Sequence, residues 1–334
     1  MKVQTKEFQE ILSKLQPGIS QKKFVEQATH YIFTGKRICS YNDKISVSYP
    51  FVTDFQCSIS SETFFQVVSK LTSKELELSF KNNQLNITTP KVKSGFTCLL
   101  EGEIFNLLNS LTIGEEWFEL PEDFTKGIEL CLFSASRDLT QKFLSSICIR
   151  NNRVESSDDV RISRYTMKGS VPVGFLLPIS SAKELLGYTI THYSLLNSWI
   201  HFKLSSGGIF SSRVILEEYP ETSSFFIVKG INVKLPPELL TAVEMVSILS
   251  EGDFDLDKRI NIKVEKDTII CRSSNSSGWI EKKIPSSYQG EEISFVINPY
   301  FFKQILEKST EVLVSEDRVL FTSDSFSHIL ALQI

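Results

Sequence analysis

The sequence predicts an α+β fold of three tandem domains, each made of two halves in which one helix is followed by antiparallel strands. Three observations carry this reading. A helix-start pattern recurs six times, hairpins of period two follow the helices, and the 334 residues suit two or three domains of ~100–170 residues.

The repeated unit is a short apolar strand end, a polar or proline cap, and an amphipathic helix anchored by Phe or Leu. The anchors are Phe8, Phe64, Phe124, Leu185, Leu239 and Phe301, roughly 54–62 residues apart, a longer period than most solenoid repeats have. Phe8, Ile11, Leu12 and Leu15 fall at i, i+3, i+4 and i+7, one apolar stripe of a helix, and Phe64, Val67, Val68 and Leu71 repeat it. Ser61 and Ser181 are expected to accept from first-turn amides, and Pro121, Pro236 and Pro299 suit helix starts, where no amide bond is lost.

The strands read by alternation. Glu75 to Phe80 and Gln84 to Thr89 flank a Lys-Asn-Asn turn, and further hairpins begin near Trp199, Arg259 and Val312. Period two with turn signals implies antiparallel sheet with one face buried. Pairing six units gives domains at 1–114, 115–230 and 231–334, with joins near Gly114–Trp117 and Lys229–Asn232. Neither join is a long Gly/Ser linker, so docked domains are expected.

Composition narrows the function. The chain is 41% hydrophobic and 23% charged, as in globular proteins. No apolar run approaches the ~18 residues of a membrane span, and the amino terminus lacks a signal-peptide core. A cytoplasmic protein is expected, with no membrane partner. Six scattered cysteines without a Cys-x-x-Cys pair, and four histidines, support neither a metal site nor a disulfide framework. The net charge of −4 means that any nucleic-acid contact depends on a local concentration of Lys and Arg.

No catalytic residue is assigned and no cofactor is expected. Phosphate-loop, dinucleotide, zinc-protease and nucleophile-elbow motifs are absent. Ser180-Ser181-Ala182-Lys183 matches Ser-x-x-Lys but reads as a helix start. Asp253, Asp255 and Asp257 suggest a calcium loop, yet Lys258 replaces the turn glycine and Val264 the bidentate glutamate. His30, His192, His201 and His328 form no motif.

Five segments carry a resemblance. They are CSISSETFFQVVSKL from Cys57, RVESSDDVRISRYTM from Arg153, GIFSSRVILEEYPE from Gly208, EMVSILSEGDF from Glu244 and ISFVINPYFFKQILEK from Ile293. Their order and spacing resemble the bacterial DNA polymerase III beta subunit, the beta sliding clamp family, of which the chain looks like a divergent member. Asp159-Val160 stands where the family has Gly-His, and Leu330-Ala331-Leu332-Gln333-Ile334 stands where it typically has Met-Pro-Met-Arg-Leu.

The resemblance implies clamp domains with helices inside and sheets outside a ring, encircling duplex DNA and tethering a polymerase at the nucleoid. It implies a peptide pocket walled by Leu144, Ser157, Arg161, Ile162, Pro220, Phe225, Leu330 and Leu332, since an apolar slot with few polar groups suits a peptide anchor. Lys6, Lys14, Lys70, Lys74, Lys126, Arg137, Lys183, Lys303 and Lys308 are the expected DNA-facing cations, whose phosphate contacts would be sequence-independent and salt-sensitive. Phe96, on an edge strand, would meet Ile248 and Leu249 of a second copy in a homodimer ring. The implied partners are duplex DNA, a DNA polymerase, a clamp loader and the chain itself. The alternative is a clamp-fold scaffold that docks peptides without encircling DNA.

Overall fold

The computed structural model describes residues 1–21, 26–111 and 113–333; the expectation for Ile334 lies outside them. Among the described residues are seven α-helices: α1 Thr5–Lys14, α2 Ser61–Val68, α3 Glu103–Ser110, α4 Phe124–Cys131, α5 Ile179–Leu185, α6 Glu238–Val246 and α7 Pro299–Leu306. Six carry the anchors read from the sequence. The seventh, α3, buries Ile104 against Ile32, Cys39 and Tyr41.

The chain divides into two compact units that do not follow sequence order. Unit 1 comprises Met1–Leu120 and Val171–Leu216. Its larger sheet has eight antiparallel strands, in the order Cys57–Ser60, His30–Phe33, Arg37–Tyr41, Ile45–Pro50, Ile209–Arg213, Trp199–Leu204, Ile190–Leu196 and Phe118–Glu119. The centre of that sheet is the pairing of Val47 with Phe210, between strands from distant parts of the chain. Its smaller sheet has the order Lys2–Gln4, Glu75–Lys81, Gln84–Thr88 and Lys93–Thr97. The hairpin within it turns at Asn82 and Asn83, both with positive φ, as a two-residue turn matching strand twist requires. Phe8 of α1 and Phe64 of α2 pack edge to face, with centroids 6.0 Å apart, and Phe96 packs on Phe64 at 5.1 Å. The periodic aromatic anchors therefore form this core.

Unit 2 comprises Pro121–Ser170 and Glu217–Ile334. Its six-stranded sheet has the order Ser146–Ser157, Arg161–Pro178 (of which the part up to Ser170 belongs to this unit), Phe326–Ala331, Arg318–Ser323, Glu311–Val314 and Ile231–Lys234. A four-stranded sheet has the order Gly278–Pro285, Thr268–Asn275, Ile260–Glu265 and Ile293–Ile297. The helix α4 lies so close to its sheet that a Cβ on Gly127 would stand 2.8 Å from Val154 and 2.9 Å from Tyr165. Only glycine fits that approach.

The expected caps need correction. Ser61 lies inside α2 and donates to the Thr29 carbonyl at 2.7 Å, while Ser181 lies inside α5 with its hydroxyl unpartnered. Neither serine caps, because each helix begins directly at a strand end, one residue earlier than expected for Ser61 and three for Ser181. Pro299 does open α7, behind an Asn298 side chain that accepts from Tyr300 N at 2.8 Å and Phe301 N at 3.2 Å, a cap worth about 1 kcal/mol. Pro121 and Pro236 lie upstream of their helices.

Candidate peptide-docking cavity

In unit 2 the strand Ser146–Ser157 turns tightly into Arg161–Pro178. Asp159 takes a left-handed φ of 72°, a conformation that Asp tolerates better than most residues and that accounts for its standing where the related motif has glycine. The Ser157 hydroxyl donates to the Arg161 carbonyl at 2.8 Å, and the Arg161 amide donates to Asp158 Oδ1 at 3.2 Å. This turn forms one wall of a partly enclosed cavity of about 360 Å³.

Leu144, Ser157, Arg161, Ile162, Pro220 and Phe225 all line that cavity. Sequence reasoning missed Phe143, Tyr219, Ile329 and Ala331, which complete its apolar surface. Leu330 and Leu332 do not line it. Leu330 pairs with Arg161 and is fully buried, whereas Ile329 pairs with Ile162. Side chains alternate along a strand, so a one-residue error of phase exchanges the faces. Leu332 follows the strand and donates its amide to the Asp317 carbonyl at 2.9 Å.

The Arg161 guanidinium is committed to the protein itself. It donates to Asp158 Oδ2 at 2.9 Å, Gln304 Oε1 at 2.6 Å and the Phe133 carbonyl at 2.5 Å. The rings of Phe301 and Phe133 flank it at 4.3 and 5.1 Å. Burial lowers its pKa and raises that of Asp158, each against the pull of the other. At the mouth, Arg318 lies 5.6 Å from the exposed Phe225 ring and pairs with Asp317 at 2.5 Å. The Arg318 hydrogen bond holds Asp317 down to about 2. The site is therefore an apolar slot whose rim charges are already neutralised, suited to an apolar side chain.

The nine cations do not behave alike. Lys6, Lys14, Lys126 and Lys183 are exposed on helices. Lys70, Lys74 and Arg137 are exposed but lie beyond helix ends, and Lys303 and Lys308 are half-buried. Lys14 reaches the Gly187 carbonyl at 2.6 Å and Lys308 lies over Phe133 at 5.3 Å. No ion pair with a described carboxylate is formed by any of the nine.

Phe96 is half-buried on Lys93–Thr97, the last strand of its sheet. Ile248, 75% exposed, and half-buried Leu249 follow α6 in a 3-10 turn that packs against the edge strand Gly278–Pro285. Among the described residues no group of three or more His, Cys, Asp or Glu is placed to hold a metal, and all six cysteines are buried free thiols. No described helix is long and apolar enough to cross a membrane.

No protein-family profile matches the chain. A beta sliding clamp from Chlamydia pneumoniae is 24% identical over 359 aligned positions, covering 97% of this chain and 93% of that relative. Solved structures share the fold end to end. The DNA polymerase III subunit beta from Pseudomonas aeruginosa superposes with a TM-score of 0.85 at 12% identity, covering 100% of this chain and 99% of that one. The beta subunit from Streptococcus pyogenes gives 0.86 at 16% identity, covering 99% of each chain. A sliding clamp from Bartonella birtlesii, solved bound to griselimycin, gives 0.86 at 16% identity, covering 100% and 99%. The fold is that of the bacterial beta subunit, and the sequence resemblance to beta sliding clamps extends over nearly the whole chain.

Proposed function

We propose that this chain is a DNA sliding clamp subunit, a processivity factor with no catalytic step of its own. Two copies close head to tail into a ring, each contributing three domains at 1–114, 115–230 and 231–334, with helices inside and sheets outside. The ring encircles duplex DNA at the nucleoid and tethers a polymerase, and is engaged by a clamp loader, through short peptides that enter the cavity around Ile162. One observation carries this reading: an apolar, partly enclosed slot lies at the segments resembling the docking region of the beta clamps, in a chain that shares their fold from end to end.

The remaining geometry supports it. Exposed cations on α1, α4 and α5 have no described carboxylate partner and are available to phosphates, giving contacts that hold any sequence and let the ring slide. The strands Lys93–Thr97 and Gly278–Pro285 each end a sheet. Pairing them between copies removes two open edges and places Phe96 near Ile248 and Leu249. A closed two-fold arrangement satisfies both edges at once.

One observation favours a second reading, a scaffold that docks peptides without encircling DNA. The helix α6 carries no Lys or Arg, and the α7 cation Lys303 is half-buried, so the charge offered to DNA is uneven. Covalent closure separates the two. A cysteine pair introduced on the two edge strands is crosslinked in the presence of nicked circular plasmid. A clamp stays with the circle in denaturant and leaves once the plasmid is cut. A scaffold leaves both forms alike.

A further inference from the structure

Glu155 is a wholly buried carboxylate next to the docking cavity, and no part of the docking reading uses it. Burying an ionised carboxylate costs several kcal/mol unless it is paired and hydrogen-bonded, so its partners show what it holds. Arg164 Nε donates to Glu155 Oε1. Arg150 Nη2 and the Thr222 hydroxyl donate to Oε2, at 3.3 and 3.1 Å.

Those partners converge on one stretch of chain. Arg150 also donates to the Pro220 carbonyl at 3.4 Å and pairs with Glu221 at 3.2 Å. Arg164 donates to Thr222 Oγ1 at 2.9 Å and Ser223 Oγ at 3.4 Å, and lies over the Phe226 ring at 4.0 Å. Arg153 donates to Ser223 Oγ at 2.9 Å. The Ser223 hydroxyl and amide, with Arg150 and Arg153, hold Glu221 down to about 2. Residues 220–226 have no strand partner and only a short 3-10 turn, Ser223–Phe226. They nevertheless supply Pro220, Thr222 and Phe225 to the cavity.

We propose that Glu155 is a positioning residue for the docking cavity: it draws Arg150, Arg164 and Thr222 together and so clamps segment 220–226 as the wall against which a peptide anchor packs. The proposal rests on the reading of the cavity as a peptide site. Glu155 touches no ligand. It sets the shape of the slot by holding the arginines, and a site whose supporting shell loosens by about 1 Å loses much of its affinity.

The test uses the full chain and griselimycin as probe, with affinity read by calorimetry and local order by amide hydrogen exchange. Glu155→Gln removes the charge that the two arginines share and replaces one of the two accepting oxygens with an NH2 donor. Thr222→Val removes only the hydroxyl, and Thr222→Ser restores it. Glu155→Gln and Thr222→Val are expected to weaken griselimycin roughly ten-fold or more and to speed exchange across 220–226, with the Ile260–Glu265 sheet unchanged. Thr222→Ser is expected to return exchange across 220–226 to the parent's rate. Parent-like affinity in both Glu155→Gln and Thr222→Val overturns the proposal. A parent protein that takes up no griselimycin counts against the peptide reading. The clamp is then judged on exchange alone, where unchanged protection of 220–226 in Glu155→Gln overturns it.

Discussion

Ile162 stands directly opposite Ile329 in the antiparallel pairing of Arg161–Pro178 with Phe326–Ala331, and both residues line the cavity. The neighbouring pair, Arg161 and Leu330, turns to the other face: Arg161 borders the cavity but carries its guanidinium to Gln304 and Phe301 of α7, and Leu330 is buried. A shift of one residue thus separates a docking surface from a core. Leu330→Ala should cost about 2–5 kcal/mol of stability by opening a cavity in the core, while its folded fraction binds peptide normally. Ala331→Phe should fill the slot and reduce griselimycin affinity at least about ten-fold, with an unchanged urea midpoint. The reverse pattern in calorimetry and urea unfolding would mean that the phase is misassigned.

Arg161 contributes through stability before binding. Its removal leaves the half-buried Asp158 without a counterion, and breaking a buried pair costs up to about 3–5 kcal/mol. Arg161→Ala should therefore unfold at markedly lower urea, and any weakening of affinity should follow the unfolded fraction. A fully stable Arg161→Ala protein that no longer binds would return the guanidinium to the ligand.

For the helix cations, the expected signature is a change in salt dependence. Lys6→Glu combined with Lys183→Glu should weaken DNA binding equally on unrelated sequences. It should also lower the slope of log affinity against log salt by about 1 for each phosphate that is no longer engaged. Fluorescence anisotropy over a salt series measures this. An unchanged slope would exclude these lysines from the DNA path.

Protonation of His328 links stability to pH. The ring is wholly buried, shares a 2.8 Å hydrogen bond with Ser163 and stacks on Phe133. Burial, with Arg161 and Lys308 repelling a further charge, holds its folded pKa well below the ordinary value. In the unfolded chain it titrates near about 6.5, so below that pH the unfolded state binds the extra proton. The stabilisation is complete above ~6.5 and declines on acidification, by up to about 1.4 kcal/mol per pH unit. Urea midpoints between pH 7.5 and 5 should fall in the parent and fall less in His328→Gln. Equal slopes would reject the assignment.

The recurrence of Phe and Leu anchors made six helices legible, because each anchor stripe is also the buried face of its helix. The hairpins were legible because Asn82-Asn83 and their counterparts are local turn chemistry. The helix α3 carries its own stripe, Ile104, Leu107, Leu108 and Leu111, yet it opens after Gly102 without the strand-end pattern the other six share. Six cavity residues were reachable through the motifs. Ile329 and Ala331 were not, since His-Ile-Leu-Ala-Leu is apolar in both phases and only the pairing with Ile162 selects one. The caps at Ser61 and Ser181 failed because tertiary contacts, not local propensity, start those helices. The Glu155 network was invisible because its arginines and Thr222 meet only through folding.

Ring closure is the claim on which the rest depends. Ile248→Glu with Leu249→Glu should give a folded monomer by native mass spectrometry, where the parent gives twice the 38.0 kDa chain mass. Persistent dimers in the double variant would locate the contact elsewhere.

The most direct measurement is single-particle imaging of the purified parent protein. Closed, six-lobed rings of two copies around a hole wide enough for duplex DNA are the predicted result. Uniformly compact single-copy particles at concentrations where the chain is otherwise native would contradict ring closure.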